Sequence, residues 1–119
     1  MINGNGFAGS RRKYGNHKVE IDGFIFDSKR EAVRWQQLKL LERAGQISAL
    51  KRQVKFDLLP SQKNEFGKTE RAVSYIADFT YYDKDGHLVV EDTKGFRTDA
   101  YILKRKLMLH MWNITIHEI

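Results

Sequence analysis

Apolar and polar positions change period several times along this chain, and each change marks an element. Val19 and Ile21 alternate before Asp22-Gly23 and Ile25 follows, which predicts a small hairpin over Lys18–Phe26. The period then lengthens: Trp35, Leu38 and Leu41 recur at helical spacing. Ser28 is an N-cap, Glu31 completes a capping box and Gly45 stops the run, so a helix is expected from Ser28 to Ala44. Alternation returns over Leu50–Leu59, with Val54, Phe56 and Leu58 on one face, and ends at Pro60, the only proline. The polar run Ser61–Thr69 reads as a loop. Arg71–Tyr82 and His87–Thr93 read as strands joined by Asp83-Lys84-Asp85-Gly86, a strong turn sequence. Thr98 caps a second helix from Asp99 to about Met111, with Leu103, Leu107 and Met111 on its apolar side. Ile114–Ile119 closes the chain as a strand. The order hairpin-α-β-β-β-α-β predicts an α/β (α+β) domain, a mixed sheet flanked by helices.

The hairpin between Arg71 and Thr93 carries the candidate chemistry. If Asp83–Gly86 is a type I turn with Gly86 left-handed, a G1 bulge sets the register. Asp83 then faces His87, Tyr82 faces Leu88, Thr80 faces Val90 and Asp78 faces Asp92. Leu88, Val90, Asp92 and Lys94 share a face with Ile76, Asp78 and Tyr82. A plain four-residue loop would instead oppose Asp78 to Glu91 and put Lys94 on the other face from Glu91. The bulged register is preferred because Gly86 suits it and because Asp92 and Lys94 then act together. Two carboxylates ~4 Å apart at an effective dielectric of ~20 repel by roughly 4 kcal/mol. A divalent cation between them offsets that cost. The plainer alternative is two surface strands with solvated charges. It accounts for one carboxylate easily, and less well for two embedded among Ile76, Ala77, Phe79, Val89 and Val90.

Composition narrows the partner. The 119 residues carry a net charge of +6, which attracts polyanions, nucleic acid above all. Asp78, Asp83, Asp85 and the Glu91–Asp92 pair form an acidic spot between basic flanks, an arrangement that suits a metal ion meeting a phosphate backbone. Residues 1–16 are rich in Gly, Asn, Arg and Ser and read as a flexible basic tail. Its Arg11, Arg12 and Lys13 either lie along phosphates or are merely solvated. Residues 17–119 then form a single domain, and 41% hydrophobic residues suffice for a core. The absence of cysteine excludes disulfides and thiolate metal sites and fits a reducing compartment. No apolar run approaches the ~20 residues of a membrane span, and no signal-peptide stretch opens the chain, so a cytoplasmic protein is expected. The four histidines are scattered without zinc-ligand spacing.

Asp78 at the end of one strand, and Asp92-Thr93-Lys94 with Gly95 on its neighbour, resemble the PD-(D/E)XK nuclease superfamily. Ala77 stands where that family often has proline, and Glu31 matches a glutamate common on its preceding helix. The resemblance covers about residues 18–119. It extends to small phage-encoded nuclease-like proteins and, more distantly, to archaeal-type Holliday-junction resolvases and transposase subunits with this core. It implies a restriction-endonuclease-like core and a metal-dependent endonuclease, in the host cytoplasm if phage-encoded. Asp78 and Asp92 would ligate Mg²⁺ or Mn²⁺, with the Thr93 carbonyl as a further oxygen. Lys94 would orient the attacking water or stabilise the transition state; its plain alternative is a salt bridge to either aspartate.

Glu31 is open between metal ligand and helix cap. Gln53 is open between a contact to water or phosphate and a polar residue at a strand edge. Thr98, Tyr101 and Lys104, with Lys106, would hold neighbouring phosphates, or else form an exposed helix face. A short chain leaves little room for sequence reading, so the expected substrate is branched DNA recognised by shape, cut by a twofold homodimer. Neither a membrane nor a small-molecule substrate is expected. The alternatives are a non-catalytic nucleic-acid-binding module and a nuclease subunit that needs a partner in a phage replication, recombination or packaging complex.

Overall fold

The computed structural model describes residues 18–94 and 96–119. Its contacts divide the chain into two units, Met1–Gln37 and Leu38–Ile119, with the boundary inside the first helix. Arg11, Arg12 and Lys13, and the tail as a whole, lie outside the described residues.

In the first unit, β1 (Val19–Ile21) pairs antiparallel with β2 (Phe24–Phe26). Asp22 and Gly23 both take positive φ, 54° and 81°, as a tight hairpin of this hand requires. Helix α1 (Lys29–Arg43) follows. Ser28 Oγ accepts from the Glu31 backbone N–H at 3.1 Å, so the expected cap is formed. Within this unit Trp35 packs edge-on against Phe24 and tilted against Phe26, at 5.4 and 6.0 Å between ring centres. Of the expected stripe on α1, Trp35 and Leu38 are buried and Leu41 is exposed; Ala32 takes the third buried place.

The second unit opens where α1 ends. Gly45 at φ +76° and the bond from Gln46 N–H to Leu41 O close the helix in a Schellman turn. Four strands make its sheet: β3 (Ser48–Leu59), β6 (Val73–Tyr82), β7 (Leu88–Asp92) and β8 (His117–Glu118), in that order. The first three are antiparallel neighbours and β8 lies parallel to β7, so the sheet is mixed. Helix α2 (Asp99–Trp112) forms the crossover between those parallel strands. The last strand is shorter than expected, because Asn113 takes a left-handed C-cap and chain pairing resumes only at His117.

Two expectations are corrected here. The run Ser61–Thr69 is not a plain loop but part of a second small hairpin, β4 (Gln62–Lys63) with β5 (Thr69–Glu70). Helix α2 does not bury Leu103 and Met111, which are more than half exposed. It buries Tyr101 and Met108, with Ile102 and Leu107 partly packed, against Phe56, Leu58, Tyr75, Ala77, Val90 and Ile116. The choice follows from polar bonds and aromatic contacts. Tyr101 finds a carboxylate for its hydroxyl, and Trp112 donates its indole N–H to Asp57 O at 2.9 Å, which fixes the rotation of the helix. Among the described residues no helix is long and apolar enough to cross a membrane.

Candidate metal centre

The β6–β7 hairpin has the register expected from a G1 bulge. Phe79 pairs with Glu91, Thr80 with Val90, Tyr81 with Val89 and Tyr82 with Leu88. Gly86 takes φ +81° and donates to Asp83 O, while Asp83 N–H donates to His87 O. The Asp83 carboxylate accepts from the N–H groups of Asp85 and His87, both at 2.9 Å. Asp83, Asp85 and His87 are close enough for their ligand atoms to converge, but these bonds account for Asp83 as a turn residue.

The pairing stops one residue short of Asp78. Strict alternation would put Val90, opposite Thr80, on the other side of the sheet from Ala77. Both belong to the α2-side core, so the side chains depart from strict alternation between Ala77 and Thr80. Across the sheet Gln53 lies between the paired Arg52 and Val54, opposite Asp78, with φ +55°. A non-glycine residue in the left-handed region inside a strand is strained, and the strain sits opposite Asp78. Ile76 stands more than half exposed, whereas Tyr75 and Ala77 on either side of it are buried.

Asp78 lies beside Asp92. Asp78 Oδ2 accepts from Thr93 N–H at 2.8 Å and Thr93 Oγ1 at 2.7 Å. Asp92 is buried; its Oδ2 accepts from the Tyr75 hydroxyl at 2.7 Å, and its Oδ1 stands 3.3 Å from Lys94 Nζ. The Asp92 carboxyl is pushed up to about 6, first by burial and further by Asp78, whose carboxylate lies within hydrogen-bonding reach. The Tyr75 bond and the Lys94 ammonium pull the other way. Burial and the same bond push the Tyr75 phenol upward, so it stays a donor. Lys94 Nζ also sits 4.5 Å from the centre of the Tyr101 ring.

Glu91, the rival carboxylate, is buried and accepts from the Tyr81 hydroxyl. It pairs with Phe79, the face opposite to Val90 and Asp92. Glu31 belongs to the first unit, where it is buried at the start of α1. Gln53 is exposed, Lys104 half-buried, and Thr98 caps α2 by accepting from Tyr101 N–H at 3.1 Å. Tyr101, expected to face phosphates, is buried instead; its hydroxyl donates to Glu118 Oε2 at 2.7 Å, and burial and this bond raise its pKa. The sequence pattern missed Tyr75, Glu118, Arg97 and Arg105. Tyr75 is three residues from Asp78, and strict alternation places it on the wrong face. The position of Arg97, three residues past Lys94, was a usable signal.

Asp78 and Asp92 bring two carboxylates together beside the Lys94 ammonium. Thr93 holds one oxygen of Asp78, while Tyr75 and Lys94 each hold one oxygen of Asp92. Residues 11–117 match a family described as a protein of unknown function, DUF1064. No curated protein and no solved structure matches the chain.

Proposed function

We propose that this chain, which belongs to the DUF1064 family, is a metal-dependent endonuclease that hydrolyses phosphodiester bonds in DNA. The observation that supports it most is the convergence of Asp78 and Asp92, one buried and raised to about 6, beside the Lys94 ammonium. The donor set fits Mg²⁺ or Mn²⁺: hard carboxylate oxygens, with no thiolate or imidazole among them. Asp78 and Asp92 would hold the ion, with the Thr93 carbonyl as a further oxygen. Bound there, the ion would polarise a phosphate and acidify a water.

The chain's own residues do the rest. Tyr75 and Thr93 hold the two carboxylates in place, so little order has to be gained on binding. Lys94 carries a positive charge at the mouth of the pair, partly exposed, where it can hold an attacking water or offset charge on the phosphate. The +6 net charge draws the DNA backbone to this spot. The substrate in this reading is branched DNA, recognised by shape, and cutting both strands calls for a twofold homodimer.

A cleavage assay on labelled junction, flap, duplex and single-stranded DNA, with Mg²⁺, Mn²⁺ or EDTA, tests the reading. Cleavage that needs the metal is expected. Asp78→Asn and Asp92→Asn should abolish it, and Lys94→Ala should slow it by about 10²–10³-fold, all with unchanged circular dichroism. Glu91→Gln should remain metal-responsive. DNA binding without cutting under any metal would replace the nuclease with a binding module.

A further inference from the structure

Beside the aspartates, the last strand brings one more carboxylate, and two arginines close on it. Glu118 lies in parallel register with Asp92 across β7 and β8. Arg97 places Nε and Nη2 on Glu118 Oε1, at 2.8 and 2.7 Å. Arg105, from α2, places Nη1 on Oε2 at 3.1 Å, where the Tyr101 hydroxyl also donates. One carboxylate thus anchors two guanidiniums, and the group keeps a surplus of one positive charge.

A guanidinium has five N–H donors. Arg97 uses two on Glu118 and Arg105 one. Their side chains remain 54% and 36% exposed, so each is partly open to solvent. The Glu118 side chain is only 18% exposed, so its three donors also satisfy a largely buried carboxylate. The arrangement does supply direction. A guanidinium held along one edge presents its other edge in a fixed place, the geometry that matches phosphate oxygens. Tyr101 joins the group to the metal centre, with its hydroxyl on Glu118 and its ring beneath Lys94. Lys104 and Lys106 have no such anchor among the described residues.

We propose that Arg97 and Arg105, held on Glu118, form a phosphate-binding subsite for the phosphodiester adjoining the one at Asp78, Asp92 and Lys94. This rests on the nuclease reading for the identity of the substrate. One phosphodiester charge balances the surplus of the group. Glu118 is a positioning residue, and both its oxygens are already taken.

The test is equilibrium binding of labelled DNA in EDTA across a KCl series, for wild type, Arg97→Gln, Arg105→Gln and, as an unanchored control, Lys106→Gln. Each arginine variant should lower the slope of log affinity against log salt by about 1, and weaken binding evenly across DNA sequences. Lys106→Gln should change the slope less. Arg97 stands on an exposed loop, so its variant decides the matter if Arg105→Gln fails to fold. An unchanged slope in folded Arg97→Gln, with metal-dependent cleavage intact in wild type, overturns the subsite and leaves the nuclease. A lowered slope with no cleavage under any metal keeps the subsite and removes the nuclease. No DNA binding by wild type overturns both.

Discussion

A buried carboxylate is stable only with partners, and Asp92 has three of different sign: Tyr75, Lys94 and Asp78. The balance raises its pKa from 3.8 to about 6. Below both values the aspartate is protonated folded or unfolded. Between them the unfolded chain gives up its proton more readily, so stability falls as pH rises from 3.8 towards 6 and stays low above it. In EDTA the melting temperature should therefore decline between pH 4.5 and 6, above the range in which Glu118, its pKa lowered from 4.5 to about 2 by Arg97 and Tyr101, adds stability as pH rises. Asp92→Asn should remove the decline, melt above wild type near pH 7.5 without metal, and show no Mg²⁺-induced stabilisation. A flat wild-type profile would refute this account. Tyr75→Phe deletes the donor to Asp92 Oδ2, a bond to a charged group that contributes about 1.5–3 kcal/mol. It should weaken Mn²⁺ binding by about 10–100-fold in titration calorimetry; unchanged affinity would show that the bond does not shape the site. The aspartates and the lysine were legible because their spacing is local. Tyr75 was not, because alternation along the strand puts it on the face opposite to Asp78 and Asp92.

The same turn is built twice at the level of elements. Asn64-Glu65-Phe66-Gly67-Lys68 repeats the bonds of Asp83-Lys84-Asp85-Gly86-His87. In each, the first residue's side-chain oxygen accepts two backbone N–H groups, and the glycine donates to that residue's carbonyl at φ +76° or +81°. The second turn was legible because long apolar strands flank it; the first was hidden by two-residue strands with polar faces. Either Asn or Asp fits this role, so Asp83→Asn should be close to neutral in chemical denaturation, whereas Asn64→Asp should destabilise because Asn64 Nδ2 donates to Glu70 Oε2 at 3.1 Å. Gly86→Ala meets open space, so its cost is backbone strain alone, about 1 kcal/mol. Asp83→Asn should also leave Mg²⁺-induced stabilisation unchanged; its loss would move the metal centre to the turn. Helix α2 was half legible. Its cap and length follow from Thr98 and Asn113, but two apolar stripes compete, and the buried one wins through a tyrosine–glutamate bond that hydrophobic periodicity does not encode.

For the whole molecule, the mixed α/β architecture was legible because each element carried its own period, whereas the pairing of β8 with β7 rests on two residues. Charge acts at this scale too. In the nuclease reading a +6 chain would attract DNA, while Asp78 and Asp92 would repel phosphate in the absence of a cation. Asp78→Asn or Asp92→Asn should thus raise metal-free DNA affinity about fivefold, the effect of roughly 1 kcal/mol for one charge near a phosphate in water. In the same reading Arg11, Arg12 and Lys13 would act in the opposite sense, with three charges available to phosphates. Removing residues 1–13 should lower the salt slope by up to about 3. The same deletion should leave the Mg²⁺-induced rise in melting temperature unchanged, because Asp78, Asp92, Tyr75 and Lys94 all belong to the Leu38–Ile119 unit. An unchanged slope would leave these three charges without a part in DNA binding, and loss of the metal response along with the slope would mean that the segment supports the fold instead of the backbone of the DNA.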